Sequence, residues 1–149
     1  MKARVYLLAL ALVAPLGCAT SPKVSDAEKL ALYREHAGEP VPHFRYFGSL
    51  NGWTPLGREA LAVWTRPNEA FLLELSAPCP DLDFAPAISL SESLHQVSAR
   101  FDRVTPLGHN TMTIPCRIEQ IRPLDAKALR QAQKDLREAK TEARAEPKE

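Results

Sequence analysis

Leu61-Ala62-Val63-Trp64-Thr65-Arg66-Pro67-Asn68-Glu69-Ala70-Phe71-Leu72-Leu73-Glu74-Leu75 is the stretch on which the fold class turns. Leu61 to Thr65 is a short run rich in apolar, β-branched and aromatic residues. Phe71 to Leu75 is a second, almost wholly apolar. Both have strand length, too short for a typical helix. Between them, Arg66-Pro67-Asn68-Glu69 places Pro at the second turn position and Asn at the third. That pattern suits a type I turn, so residues 61–75 read as a hairpin.

The same reading extends outward. Phe44, Tyr46 and Leu50 alternate with Arg45, Phe47 and Ser49, a period-two pattern in an aromatic-rich run. Val97, Ala99 and Phe101 alternate with Ser98, Arg100 and Asp102. Ile88–Leu90 and Arg117–Ile121 read as further short strands. Pro and Gly punctuate between them, at Pro55, Gly57, Pro78, Pro80, Pro86, Pro106, Gly108 and Pro115. About six short strands with no long helical pattern between them imply a mainly β domain, a small barrel or sandwich, over residues 40–124. Thr54-Pro55-Leu56-Gly57 recurs as Thr105-Pro106-Leu107-Gly108, which reads as reuse of good loop residues rather than duplication.

The whole chain has 149 residues, 45% hydrophobic and 25% charged, with a net charge of +1. Such values exclude a disordered chain, a collagen-like chain and a strongly basic nucleic-acid binder. The length suits one domain.

Residues 1–17 read as a signal peptide. Lys2 and Arg4 precede the uncharged run Val5–Ala14, which is too short to cross a bilayer core of about 30 Å. Pro15-Leu16-Gly17-Cys18 resembles the lipobox of bacterial lipoproteins, although Leu stands one place later than usual. That resemblance implies cleavage before Cys18, acylation of Cys18 and, because Ala19 follows rather than Asp, sorting to the outer membrane. Several acyl chains anchor stably where one binds marginally. Cleavage after Ala19, releasing a soluble periplasmic protein, is the alternative. Removing residues 1–17 takes Lys2 and Arg4 away, leaving 17 Lys and Arg against 18 Asp and Glu. A nearly neutral mature chain gives no electrostatic argument for nucleic acid as a partner.

The cysteines agree with export. With Cys18 lipidated or removed, Cys79 and Cys116 remain, and an exported pair in an oxidising compartment is expected to join. Closing a loop of 37 residues stabilises by about 4 kcal/mol in the chain-entropy model. Neither Cys lies in a C-x-x-C pattern or has a His close in sequence, which argues against a redox or metal role.

Phe44 to Trp53, Leu61-Ala62-Val63-Trp64, Phe71–Leu75, Cys79-Pro80-Asp81-Leu82 and Cys116-Arg117-Ile118 together resemble an uncharacterised family of Gram-negative periplasmic lipoproteins with a domain of unknown function. The resemblance covers residues 40–125. It implies a similar fold and a periplasmic location, and it carries over no catalytic residue.

The flanks read as helical. Ser25-Asp26-Ala27-Glu28 fits a capping box. Leu30, Tyr33 and Ala37 then share one face, and Gly38 ends the run, so residues 18–39 form a tether with a short helix. Residues 125–149 read as a polar helix capped by Asp125, with a disordered end. Leu129 and Leu136 are its only large apolar residues, too few for a core-facing stripe.

Candidate chemistry is sparse. His36, His43, His95 and His109 show no metal-binding spacing, and neither a metal nor a cofactor is expected. Ser91 or Ser93 with His95 and Asp102 would supply the residue types of a triad. Asp81 and Asp83 lie in a loop better suited to a turn than to Ca²⁺. Phe44, Tyr46, Phe47 and Trp53 form a candidate binding face of the kind that stacks on glycans or holds peptides; the same residues also suit a core. The resulting expectation is a non-enzymatic binding or accessory module of the envelope. Its partners would be the membrane, through the lipid, and an envelope protein or glycan. A hydrolase acting on an envelope polymer is the alternative from another class.

Overall fold

The computed structural model describes residues 24–108 and 114–145. The signal peptide, Cys18, His109 and the end at 146–149 lie outside them. Among the described residues the chain is mainly β. Helix α1 (Asp26–Glu35) precedes β1 (His43–Arg45), β2 (Gly52–Pro55), β3 (Ala60–Arg66) and β4 (Glu69–Leu75). A 3-10 turn (Leu82–Phe84) leads to β5 (Ala87–Leu90), β6 (Gln96–Ser98), β7 (Arg103–Leu107) and β8 (Cys116–Leu124). Helix α2 (Ala126–Ala145) follows. Six strands form one antiparallel sheet in the order β2-β3-β4-β8-β7-β5, and β1 pairs with β6 in a second. The large sheet ends at β2 and β5, so it does not close into a barrel.

The β3–β4 hairpin forms as the sequence predicts. Leu61 pairs with Leu73 and Val63 with Phe71, and the connection is Pro67-Asn68 alone. Neither residue has a positive φ, which excludes the mirror-image turns. Period two then gives the hairpin two apolar faces. Leu61, Val63 and Leu73 point into one core with Phe44, Val97, Val104 and Ile118. Ala60, Ala62, Ala70 and Leu72 point into the other, with Leu30 and Tyr33 of α1 and Leu129 of α2. The large sheet is thus a middle layer, with helices on one side and the β1–β6 pair on the other.

Strand β8 serves both halves. Its first residues pair with β7, and its remainder pairs with β4. Ile118 pairs with Leu75 and Gln120 with Glu74, so Glu119 is an extra residue. This bulge resets the alternation. It lets Ile118 and Ile121, three apart in sequence, enter the same core.

Three expectations change. The aromatic run is strand only at His43–Arg45, and then turns at Gly48 (φ +80°), although Phe44 and Tyr46 are buried as the alternation requires. The strand expected at 97–101 ends at Ser98. Arg100 turns the chain at φ 68°, so Phe101 is 82% exposed while Asp102 is buried. The polar group enters because the turn satisfies it: Asp102 Oδ1 accepts from Ser91 Oγ (2.6 Å) and Oδ2 from Ser98 N (2.7 Å). Strands β2 and β7 contain Pro55 and Pro106, which masked them in the sequence. The two Thr-Pro-Leu-Gly copies are not equivalent, since Leu56 is buried and Leu107 exposed.

Both helices dock. The capping box forms, with Ser25 N donating to Glu28 Oε2 (2.8 Å) and Glu28 N to Ser25 Oγ (3.2 Å). Helix α1 ends before Gly38, whose N–H donates to Pro123 O (2.8 Å). Asp125 Oδ1 caps α2, accepting from Ala128 N (2.9 Å). Cys79 and Cys116 form a disulfide with Cα atoms 5.7 Å apart. It joins the chain after β4 to the start of β8.

Candidate functional site

Strand β1 crosses over the large sheet because its inward side chain has an aromatic partner there. Phe44 stacks on Phe71 of β4, with ring centroids 4.6 Å apart and planes 16° apart. Beside this pair runs a groove of about 490 Å³. The aromatic pair lines its floor. Arg45 and Phe47 form one rim, and the end of the β3–β4 hairpin forms the other.

The charges on the two rims differ. On the hairpin side Glu69 is already engaged, accepting from Thr65 Oγ1 (2.9 Å) and lying 3.6 Å from Arg66 Nε. On the β1 side Arg45 is exposed and makes no ion pair among the described residues. Phe47 is 63% exposed, and its ring lies 5.7 Å from that of His95. His95 belongs to a tight hairpin in which Ser93 and Gln96 exchange main-chain hydrogen bonds of 2.9 and 3.0 Å. Tyr46 N donates to His95 O (2.9 Å), which ties the two loops together. Burial pushes the Tyr46 phenol above its ordinary value, and Glu92 adds to the shift.

The four aromatics of the candidate face therefore separate. Phe44 and Tyr46 are buried, Trp53 lies half-buried against the same core, and Phe47 alone stands out to solvent. Phe71, Thr65, Arg66 and Glu69 complete the site from the hairpin. The sequence marked Phe71 as part of an apolar strand, but nothing local showed that β1 would fold across it.

The other candidates do not converge. Ser91 bonds Asp102, but Ser91 Oγ also accepts from Arg103 N (2.9 Å), and His95 faces Phe47 and Glu92. Ser91 and Asp102 clamp a turn instead. His36 is half-buried near the end of α1, and His43 lies on β1. Asp81 starts the 3-10 turn at φ 61°. Burial pushes the Asp83 carboxyl above its ordinary value; Asp26 adds to this, and Arg58 and Lys29 oppose it. Among the described residues no three His, Cys, Asp or Glu side chains form a group that could hold a metal ion. No described helix is long and apolar enough to cross a membrane. A second groove, beside Phe101, has walls already bonded to each other, Val41 N to Ile121 O and Ala99 N to Pro42 O.

A family model described as a family of unknown function, DUF6491, matches residues 1–140. The chain belongs to that family. No curated protein and no solved structure matches the chain.

Proposed function

We propose that this member of the DUF6491 family is an exported, lipid-anchored, non-enzymatic binding module of the cell envelope, and that the groove beside β1 holds its ligand. The observation that carries the binding role is the groove itself. An aromatic floor, an exposed Phe47 and Arg45, which makes no ion pair among the described residues, suit recognition. Of its two histidine neighbours, His95 has Glu92 Oε2 4.0 Å from Nδ1, beyond hydrogen-bond reach, and His43 has no carboxylate within ion-pair distance among the described residues. Export is supported by the charged and apolar N-terminal stretch, by the lipobox-like Pro15-Leu16-Gly17-Cys18, and by a disulfide of the kind that persists in oxidising compartments. The anchor is Cys18, and the destination is the inner leaflet of the outer membrane.

Two measurements test this reading. Labelling cells with a radioactive fatty acid is expected to mark the wild type and not Cys18→Ala; an unlabelled wild type contradicts the anchor. A photoreactive phenylalanine analogue placed at Phe47 is expected to crosslink an envelope component. The same analogue at Phe84, exposed in the 3-10 turn, is expected not to. Equal or absent crosslinking contradicts the groove as the binding site.

A further inference from the structure

We propose that the open edge of β1 takes an extended peptide of alternating apolar and acidic residues as an added strand. The proposal rests on the groove beside β1 being the binding site, and it gives that site a ligand class.

The main-chain bonding of β1 carries it. Pro42 O accepts from Ala99 N (2.9 Å) and Tyr46 N donates to His95 O (2.9 Å). Phe44 is paired with Val97. Positions 42, 44 and 46 therefore turn their main-chain groups toward β6. In an antiparallel ladder the alternate positions turn theirs the other way. His43 and Arg45 have no main-chain partner among the described residues, and the groove lies alongside them. Such an edge is a template for another strand. The edges of the large sheet are blunted by proline, with β2 ending at Pro55 and β5 following Pro86. No proline occurs from His43 to Phe47.

Side chains set the sequence of the guest. Successive residues of an added strand point to opposite faces. The inward set lies beside Phe44 and over Phe71, so it is apolar. The outward set lies beside Arg45, which makes no ion pair among the described residues, so it is acidic. A second copy of this chain fits less well, because antiparallel pairing about Phe44 sets Arg45 of one copy beside His43 of the other.

The test titrates a capped hexapeptide alternating Glu and Val into the full mature chain, read by amide chemical shifts and hydrogen exchange. The expected result is slowed exchange at His43 and Arg45. Methylating alternate peptide nitrogens on the bonding edge is expected to weaken binding roughly tenfold, through loss of main-chain bonds. Arg45→Pro removes one free-edge N–H without removing a bond to β6. It is expected to bind more weakly than Arg45→Ala while melting at a similar temperature. His43→Pro, compared with His43→Ala, repeats the test should Arg45→Pro unfold. Arg45→Glu is expected to prefer the peptide alternating Lys and Val. A methylated peptide that binds like its parent, or a parent that does not bind, overturns strand addition. Binding of chitotriose in place of the peptide also overturns it, while leaving the groove as a binding site. Failure of crosslinking from Phe47 would instead fall on the binding-module reading.

Discussion

Leu94 and His95 sit at φ 53° and 58° at the tip of the two-residue hairpin beside Phe47. Neither residue type favours that region, and turns of this class prefer Asn-Gly. Leu94 is 93% exposed, so no packing of its side chain offsets the backbone cost. Replacing Leu94-His95 by Asn-Gly is expected to stabilise the protein by about 1–3 kcal/mol, measured by urea unfolding; a loss of stability would show that the tip is held by something else. Asp83 gives a second expectation, this one in pH. Its raised value means the folded protein keeps the proton at higher pH than the unfolded chain. The contribution of Asp83 to stability is then fully present below the ordinary carboxylate value of 3.8 and declines as pH rises through the folded one. Asp83→Asn lacks this decline. Its melting temperature relative to wild type is expected to rise as pH is raised from below 3.8, and a constant difference would contradict the burial argument. Neither site was legible in advance. Positive φ at a leucine leaves no mark in sequence, and the charged groups that act on Asp83, namely Asp26, Arg58 and Lys29, are distant from it in the chain.

At the scale of elements, the hairpin 61–75 was legible because local turn chemistry and local apolarity agreed. β8 was legible only in its middle. Its bulge at Glu119 places Ile118 and Ile121 on one face, which simple alternation forbids. Helix α2 shows the opposite difficulty. Its apolar residues looked too few, yet Ala126 and Leu129 are buried. The facing strands present Ala60, Ala62 and Ala70, and such small residues let a helix approach with little apolar surface of its own. Arg130 Nη2 donates to Asn68 Oδ1 (2.6 Å) and Gln133 Nε2 to Tyr33 Oη (3.0 Å). The docked part thus reaches Gln133, although the sequence offered no core-facing stripe in this helix. Leu129→Ala is expected to cost about 2–5 kcal/mol. Truncation after Gln133 is expected to leave the melting temperature nearly unchanged. Equal losses from the two changes would contradict this division of the helix.

At the scale of the molecule, two apolar clusters flank one sheet, and the Cys79–Cys116 disulfide ties the chain after β4 to β8. The mainly β class and this pairing were legible, because strand length, cysteine parity and proline spacing act locally or through composition. The groove was not. It exists where β1 leaves the edge of β8 after Val41, bonds β6 instead, and lays Phe44 on Phe71. Long-range pairing of that kind has no signature in a single run of residues. The same departure leaves one side of β1 without partners, and recognition in this account depends on that open side. Residue-resolved amide exchange of the purified mature chain tests it most directly. The account predicts alternation, with slow exchange at Phe44 and Tyr46 and fast exchange at His43 and Arg45. Uniform protection from His43 to Tyr46, or uniform fast exchange there, would contradict it.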